Sequence, residues 1–410
     1  MSNAPPITAG PENPAVPEIP SAAVVCLSLA AFGSGAALRV NDALLPRLAL
    51  EFGITIGEAA QVISIFAIAY GLAQLLFGPA GDRFGKYRVI AWASLASALT
   101  TALCAAAPSF DSLRIARLLA GATAAAIIPL SMAWIGDVVA YEQRQPVLAR
   151  FLIGQIFGLA AGVTLGGFAA DHLSWRLPFV LLALLFAAIA AVLFTINRRL
   201  PAHARAMRKP GPGQGSALAH MASDFAHVLA MPWARVILAT VFLEGMFLYG
   251  PFAFVAAHLH RTFGLSLSAA GAVVMLFGAG GFIFALGSAR LVARLGELGL
   301  ARGGGAVLAI ALLGMGLAPQ WLWSLPASLL AGLGFYMLHN TLQVNATQMA
   351  PQRRGAAVSA FASCFFLGQS AGVGLAGAIV GRTGTAALMG GGAIGVLLVA
   401  LNFARLRARR

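Results

Sequence analysis

Long apolar runs of about 20 residues follow one another along almost the whole chain, and short stretches between them hold most of the charge. A helical run of that length crosses the ~30 Å hydrocarbon core of a bilayer, and the runs lack the apolar/polar alternation of barrel strands. The pattern predicts an all-α integral membrane protein with twelve transmembrane helices. They are placed at about 22–50 (α1), 59–78 (α2), 89–107 (α3), 111–138 (α4), 147–170 (α5) and 177–197 (α6). In the second half they fall at about 235–258 (α7), 266–289 (α8), 303–318 (α9), 324–347 (α10), 355–381 (α11) and 385–404 (α12).

One long polar interruption divides the series. Residues 198–233, centred on Pro210-Gly211-Pro212-Gly213-Gln214-Gly215, read as a flexible cytoplasmic linker between six-helix bundles at 21–197 and 234–404. Residues 1–20, polar and Pro-rich, read as a disordered cytoplasmic tail without the basic start of a signal peptide, and 405–410 as a basic cytoplasmic tail. The halves repeat each other. Leu118-Leu119-Ala120-Gly121 recurs as Leu329-Leu330-Ala331-Gly332, and Phe151-Leu152-Ile153-Gly154-Gln155 as Phe365-Phe366-Leu367-Gly368-Gln369. The spacing of about 210 residues predicts two pseudo-symmetric bundles.

Composition agrees with the pattern. The chain is 60% hydrophobic and 10% charged, with mean hydropathy +0.85, where soluble domains carry about a quarter charged residues. A net charge of +14 suggests nucleic acid in a soluble protein, but here the base falls mainly in every second loop. That positive-inside asymmetry predicts a multi-pass cell-membrane protein with both termini in the cytoplasm, a bacterial inner membrane being the setting, and no nucleic-acid partner. Cys26, Cys104 and Cys364 all lie in apolar runs and read as buried thiols. No metal-ligand spacing or nucleotide loop is present, so no cofactor, no metal and no enzymatic activity are expected, and energy is expected from an ion gradient.

The stretch Gly78-Pro79-Ala80-Gly81-Asp82-Arg83-Phe84-Gly85-Lys86-Tyr87-Arg88 lies between two of the runs and reads as a short loop at the basic face. Its pattern resembles the loop between helices 2 and 3 of the major facilitator superfamily. The resemblance extends over about 22–404 and implies that family's fold. It also implies that Gly78, Asp82, Arg83, Gly85 and Lys86 form a conformational latch docking on α11, with Arg144 as partner. The second-half copy, Ala293-Arg294-Leu295-Gly296, lacks the acid.

The α5 glycines Gly154, Gly158, Gly162 and Gly166, followed by Gly167, recur every fourth residue and make a smooth face for close helix packing. They also resemble the family's antiporter motif, except that Val163 stands where that motif has Pro. Ser174-Trp175-Arg176-Leu177-Pro178-Phe179 resembles the family's entry to helix 6.

Ionisable residues inside membrane helices are costly and mark function. Arg117 in α4 is such a residue, in a setting similar to the family's helix-4 motif, which takes part in proton coupling; Arg114 reads as snorkelling. Arg39 and Asp42 share one face of α1 at about the depth of Arg117, so an Asp42–Arg117 pair is expected, with Arg39 competing for the acid. A neighbouring cation favours the charged carboxyl and desolvation the neutral one, an opposition that a proton-coupled carrier can use. Glu244 in α7 lies near the midplane, and Tyr336, His339, Asn340 and Gln343 form a polar patch on α10. These residues fall on α1, α4, α7 and α10, the cavity-lining set of the family, where Phe242, Phe247, Phe252 and Phe335 add aromatic surface.

The resulting expectation is a monomeric secondary transporter. It exports small amphipathic or hydrophobic molecules by proton-coupled antiport, with Asp42, Arg117, Glu244 and Arg39 handling protons. Its partners are a small-molecule substrate, protons and the bilayer. A proton symporter for a sugar, organic acid or other nutrient is the alternative, favoured by Val163. A transporter-like sensor is the third reading.

Overall fold

The computed structural model describes residues 21–139, 141–205 and 217–409. The expected N-terminal tail and the centre of the expected linker lie outside these residues. Among the described residues the chain is helical throughout, with no strand.

α1 comprises Ser21–Arg39 and, after a turn at 40–44, Leu45–Phe52. α2 is Ile56–Phe84, α3 Lys86–Ala106, α4 Phe110–Val138, α5 Tyr141–His172 and α6 Leu177–Arg199. α7 is Pro232–Phe263, broken after Pro251, and α10 is Ser324–Gln348. Two continuous helical stretches, Leu267–Leu317 and Arg354–Ala408, have 51 and 55 residues. At about 1.5 Å per residue each is far too long for one crossing. Gly296 (φ 61°) and Gly384 (φ 78°) reverse the chain within them, giving α8 (267–295), α9 (297–317), α11 (354–383) and α12 (385–408). Ten apolar stretches are therefore twelve crossings.

The charged stretch after Gly78 is not a loop. α2 continues through Gly78–Phe84, α3 opens at Lys86, and Gly85 alone, at φ 88°, makes the turn. A left-handed φ is open to glycine without steric cost, so one residue does what the sequence assigned to a longer connection. Gly85 and Gly296 are 211 residues apart, so the repeat extends to turn geometry.

The expected linker is not wholly irregular. Ala202–Arg205 form a 3-10 turn, and Ala204 accepts a hydrogen bond from Trp134 of α4 (2.9 Å). Ala217–Ala230 form a helix whose Asp224 pairs with Arg353 at the entry to α11.

Each half has its own apolar core. Phe66, Tyr87, Trp134, Phe151, Phe179 and Phe186 fill the first, and Phe252, Phe277, Leu308, Phe335, Phe361 and Phe403 the second. Outward residues such as Leu184, Leu286, Ile310 and Leu398 are 61–75% exposed on helix surfaces suited to lipid.

The halves meet along α2 with α11 and along α5 with α8. Ser64 Oγ donates to the Ser370 carbonyl (3.0 Å), Ser370 Oγ to that of Ser64 (2.8 Å) and Ser363 Oγ to that of Gly71 (2.7 Å). Contact is tight on the face opposite the Gly85 turn, where Gly57 abuts Gly377 and Gly167 abuts Leu267. Toward the Gly85 face it thins. Nothing lies within 4 Å of a Cβ at Gly78, and Ile153 and Phe282, which continue the α5 and α8 contact rows, are 41% and 43% exposed. Direct contact between the two bundles is thus tight on the opposite face and thins toward the basic one.

Candidate functional site

The turn that breaks α1 puts Arg39 and Asp42 side by side. Arg39 Nη1 donates to Asp42 Oδ2 at 3.1 Å, with the side chains 7% and 1% exposed. The same guanidinium lies 4.0 Å from the ring centroid of Tyr249 on α7, so Arg39 bridges the two halves. A desolvated cation over an aromatic face contributes about 2 kcal/mol. Asp42 Oδ1 has no hydrogen-bond partner.

Glu244, seven residues before Pro251 where α7 breaks, is fully buried, and its Oε2 is 2.8 Å from His339 Nδ1 of α10. Its Oε1 has no partner. Phe335 stacks on His339 at 4.8 Å between centroids, and Phe365 and Phe361 close around it at 4.7 and 5.3 Å. Tyr249 joins this group through Phe335 (5.7 Å) and Phe365 (5.5 Å). One aromatic cluster therefore connects the Arg39–Asp42 pair to the Glu244–His339 pair. His339 retains 17% side-chain exposure and Glu244 none, so the imidazole is the exposed end of its pair.

Arg117 does not pair with Asp42; Arg39 takes the acid. Arg117 instead donates through Nε to the Val62 carbonyl (3.2 Å) and through Nη1 to that of Ala37 (3.1 Å), its guanidinium 4.1 Å over the Phe66 ring. With the Asn41 amide oxygen turned toward it, Nε and Nη2 donate there too, at 3.2 Å each. Ala37 precedes the turn after Arg39, where α1 loosens, and Val62 lies in the first turn of the helix Gln61–Phe84. Arg114 pairs with Asp111 (2.8 Å) at an exposed position, consistent with snorkelling.

The remaining expected residues divide. Tyr336 packs its ring on Gly281 of α8 and against Phe335. Asn340 is half-buried and Gln343 exposed on the same helix. Phe247 faces away, its ring on Gly395 of α12, and Phe242, half-buried, sets its carbonyl against Gly368 of α11. Lys86 Nζ binds Asp82 (3.0 Å) and Asp137 (2.6 Å) within the first half, Arg83 lies over Phe84, and Arg144 donates to the Val139 carbonyl. The α5 stripe packs on the α1 backbone, with Gly154, Gly158, Gly162 and Gly166 against Ser28, Phe32, Ala36 and Val40. Gly167 instead meets α8.

Two polar residues escaped the sequence reading. Gln369 is 1% exposed, and neither atom of its amide has a partner. It closes the repeated Phe-Phe-Leu-Gly-Gln segment, which was its signal. Glu297, directly after Gly296, holds Arg407 through both carboxyl oxygens (2.9 and 3.2 Å) and accepts from Asn345 (2.6 Å). The repeat thus keeps a charged anchor in its second half, displaced from the position where the first half has Asp82.

The model of the Major Facilitator Superfamily matches residues 27–373. The MFS-type transporter YceJ of Bacillus subtilis is 26% identical over 345 residues, 82% of this chain and 83% of that protein. The multidrug export protein EmrB of Escherichia coli is 25% identical over 194 residues, 47% of this chain and 38% of EmrB. Among solved structures, an auto-inhibited peptide transporter of the POT family superposes with TM-score 0.74 at 19% identity, covering 95% of this chain and 97% of that one. A bacterial homologue of the human lysosomal transporter Spinster, inward-facing and unoccupied, gives 0.71 at 18% identity, covering 96% and 98%. Twelve crossings in two repeated bundles, a buried polar centre between them and a family match across most of its length place this chain in the major facilitator superfamily of transporters.

Proposed function

We propose that the protein is a proton-coupled antiporter that exports small amphipathic or hydrophobic molecules by alternating access, its basic face in the cytoplasm and the present conformation inward-open. The observation that carries this reading is the pair of buried carboxyls, Asp42 and Glu244. Each has one oxygen bound to a basic side chain and the other without a partner. A proton taken up by Asp42 removes the counter-charge of Arg39, which then stays with Tyr249 alone. The proton route to Glu244 runs through His339, the part of that pair that meets solvent. Both events act on α7, the helix that touches α1 from the other half, so protonation and the rocking of the halves share one connection. The rings around His339 offer an apolar site with few polar groups, the usual make-up of a ligand pocket. The likeness to the EmrB export proteins, though partial, supports export.

Membrane vesicles of both orientations, carrying the protein and an imposed pH gradient, test the reading. Accumulation of an amphipathic dye in everted vesicles is expected for the wild type, and its loss in Asp42→Asn and Glu244→Gln. If both variants keep gradient-dependent flux, the proton assignment is wrong. If flux runs the other way, the protein is an uptake symporter, the reading favoured by the unkinked α5 at Val163.

A further inference from the structure

The closed face carries an asymmetry that neither proton coupling nor the substrate explains. α2 and α8 are repeat partners and begin alike. Phe52-Gly53-Ile54-Thr55-Ile56-Gly57-Glu58 and Phe263-Gly264-Leu265-Ser266-Leu267-Ser268-Ala269 lie 211 residues apart, and both glycines take a positive φ, 64° and 68°. α2 caps itself. Thr55 Oγ1 accepts from the Glu58 amide (3.1 Å), and the Glu58 carboxylate accepts from the Thr55 amide (2.7 Å) and hydroxyl (2.8 Å).

α8 has only half of that device. Ser266 Oγ accepts from the Ala269 amide (3.1 Å), but alanine stands where α2 has its glutamate. The carboxylate comes from the other half of the molecule. Asp171, at the end of α5, accepts from the Leu267 amide (3.0 Å), the Ser268 amide (2.6 Å) and the Ser268 hydroxyl (2.6 Å). Gly167, one turn earlier, makes this possible, because a Cβ there would come within 2.3 Å of the Leu267 carbonyl. Asp171 has no equivalent in the second repeat. The Gly154 to Gly368 offset of 214 residues leads from Asp171 to Thr385, which bonds His258 inside its own half (2.7 Å).

We propose that Asp171 is a positioning residue of the transport cycle: it holds the face opposite the Gly85 turn closed by supplying, from one half, the N-terminal cap of a helix in the other. Helix N-termini need acceptors for their first amides and favour negative charge, so three donors and the helix dipole meet at one carboxylate. Opening that face withdraws Asp171 and leaves the α8 cap incomplete, whereas α2 keeps Glu58 whichever face is open. The closed state therefore gains a contact that the open state lacks. Deleting a cap acceptor shifts a helix equilibrium by roughly five- to tenfold, and the same factor is expected in the ratio of the two conformations.

The test uses the full chain in nanodiscs with its three cysteines replaced by alanine and nitroxides at Leu50 and Arg261, exposed positions on that face in different halves. Pulsed electron resonance on D171A is expected to raise the ratio of long to short distances about five- to tenfold, and D171N, which keeps one acceptor oxygen, by less. The decisive variant is D171A/A269E, which returns the glutamate to α8 as in α2. It is expected to recover thermal stability while the distances stay shifted. Unchanged distances in D171A, or a return of D171A/A269E to the wild-type distribution, would overturn the proposal. The latter would make Asp171 a cap and nothing more. Should D171A fail to fold, D171N alone decides by the direction of its shift.

Discussion

Replacing Asp42 with asparagine leaves the buried Arg39 guanidinium with no counter-charge. The pair is 3.1 Å apart, with 7% and 1% of the side chains exposed, so water offers Arg39 little compensation. Removing one partner of a buried ion pair costs about 3–5 kcal/mol. The introduced amide oxygen keeps one hydrogen bond and Tyr249 keeps its ring contact, so about 2–4 kcal/mol is expected. The cost belongs to the stranded charge and not to the lost acid. Asp42→Asn combined with Arg39→Gln should therefore recover most of it, with a favourable coupling of about 1–3 kcal/mol in the double-mutant cycle. Equilibrium unfolding in mixed micelles measures all four proteins. A single variant within about 0.5 kcal/mol of wild type, or a double variant as unstable as the sum of the singles, would refute the reasoning. The Arg39 charge would then be compensated without the acid, by water or by the Tyr249 ring.

Two further predictions test the packing around this site. A Cβ at Gly158 would sit 2.1 Å from the Phe32 carbonyl oxygen and 2.7 Å from its Cα, so Gly158→Ala must push α1 from α5 and should cost about 1–3 kcal/mol. Gly78→Ala meets nothing within 4 Å in a helical position and should be neutral or stabilising; equal melting of the two variants would contradict the close approach. Arg117→Lys keeps the charge but loses the fork that reaches Val62, Ala37 and Asn41 together, so its melting point should fall toward that of Arg117→Met. A lysine variant that melts like wild type would show that charge alone is needed there.

The run of apolar segments and the repeat determined the fold class, the helix count and the division into halves, because membrane helices are local objects whose backbone must bond within the segment. The same locality made Arg39, Asp42, Arg117, Glu244 and His339 legible, since an ionisable residue is conspicuous in an apolar run wherever it lies. Partnership was not legible. Arg39 wins Asp42 over Arg117 because the chain turns directly after Arg39, and Arg117 turns to the Ala37 and Val62 carbonyls of neighbouring helices. Phe247 shares α7 with Tyr249, yet one packs on α12 and the other on Arg39, a difference of rotation that composition does not carry. Asp171 falls just past the predicted α5 and Ser268 inside the predicted α8, with nothing in the sequence to pair them. Only the approach of α5 to α8, 97 positions on, makes them a cap and its helix. Sequence decided which groups enter the membrane, and the tertiary structure decided which of them meet, because contacts between helices depend on small shifts and rotations set by packing across both halves.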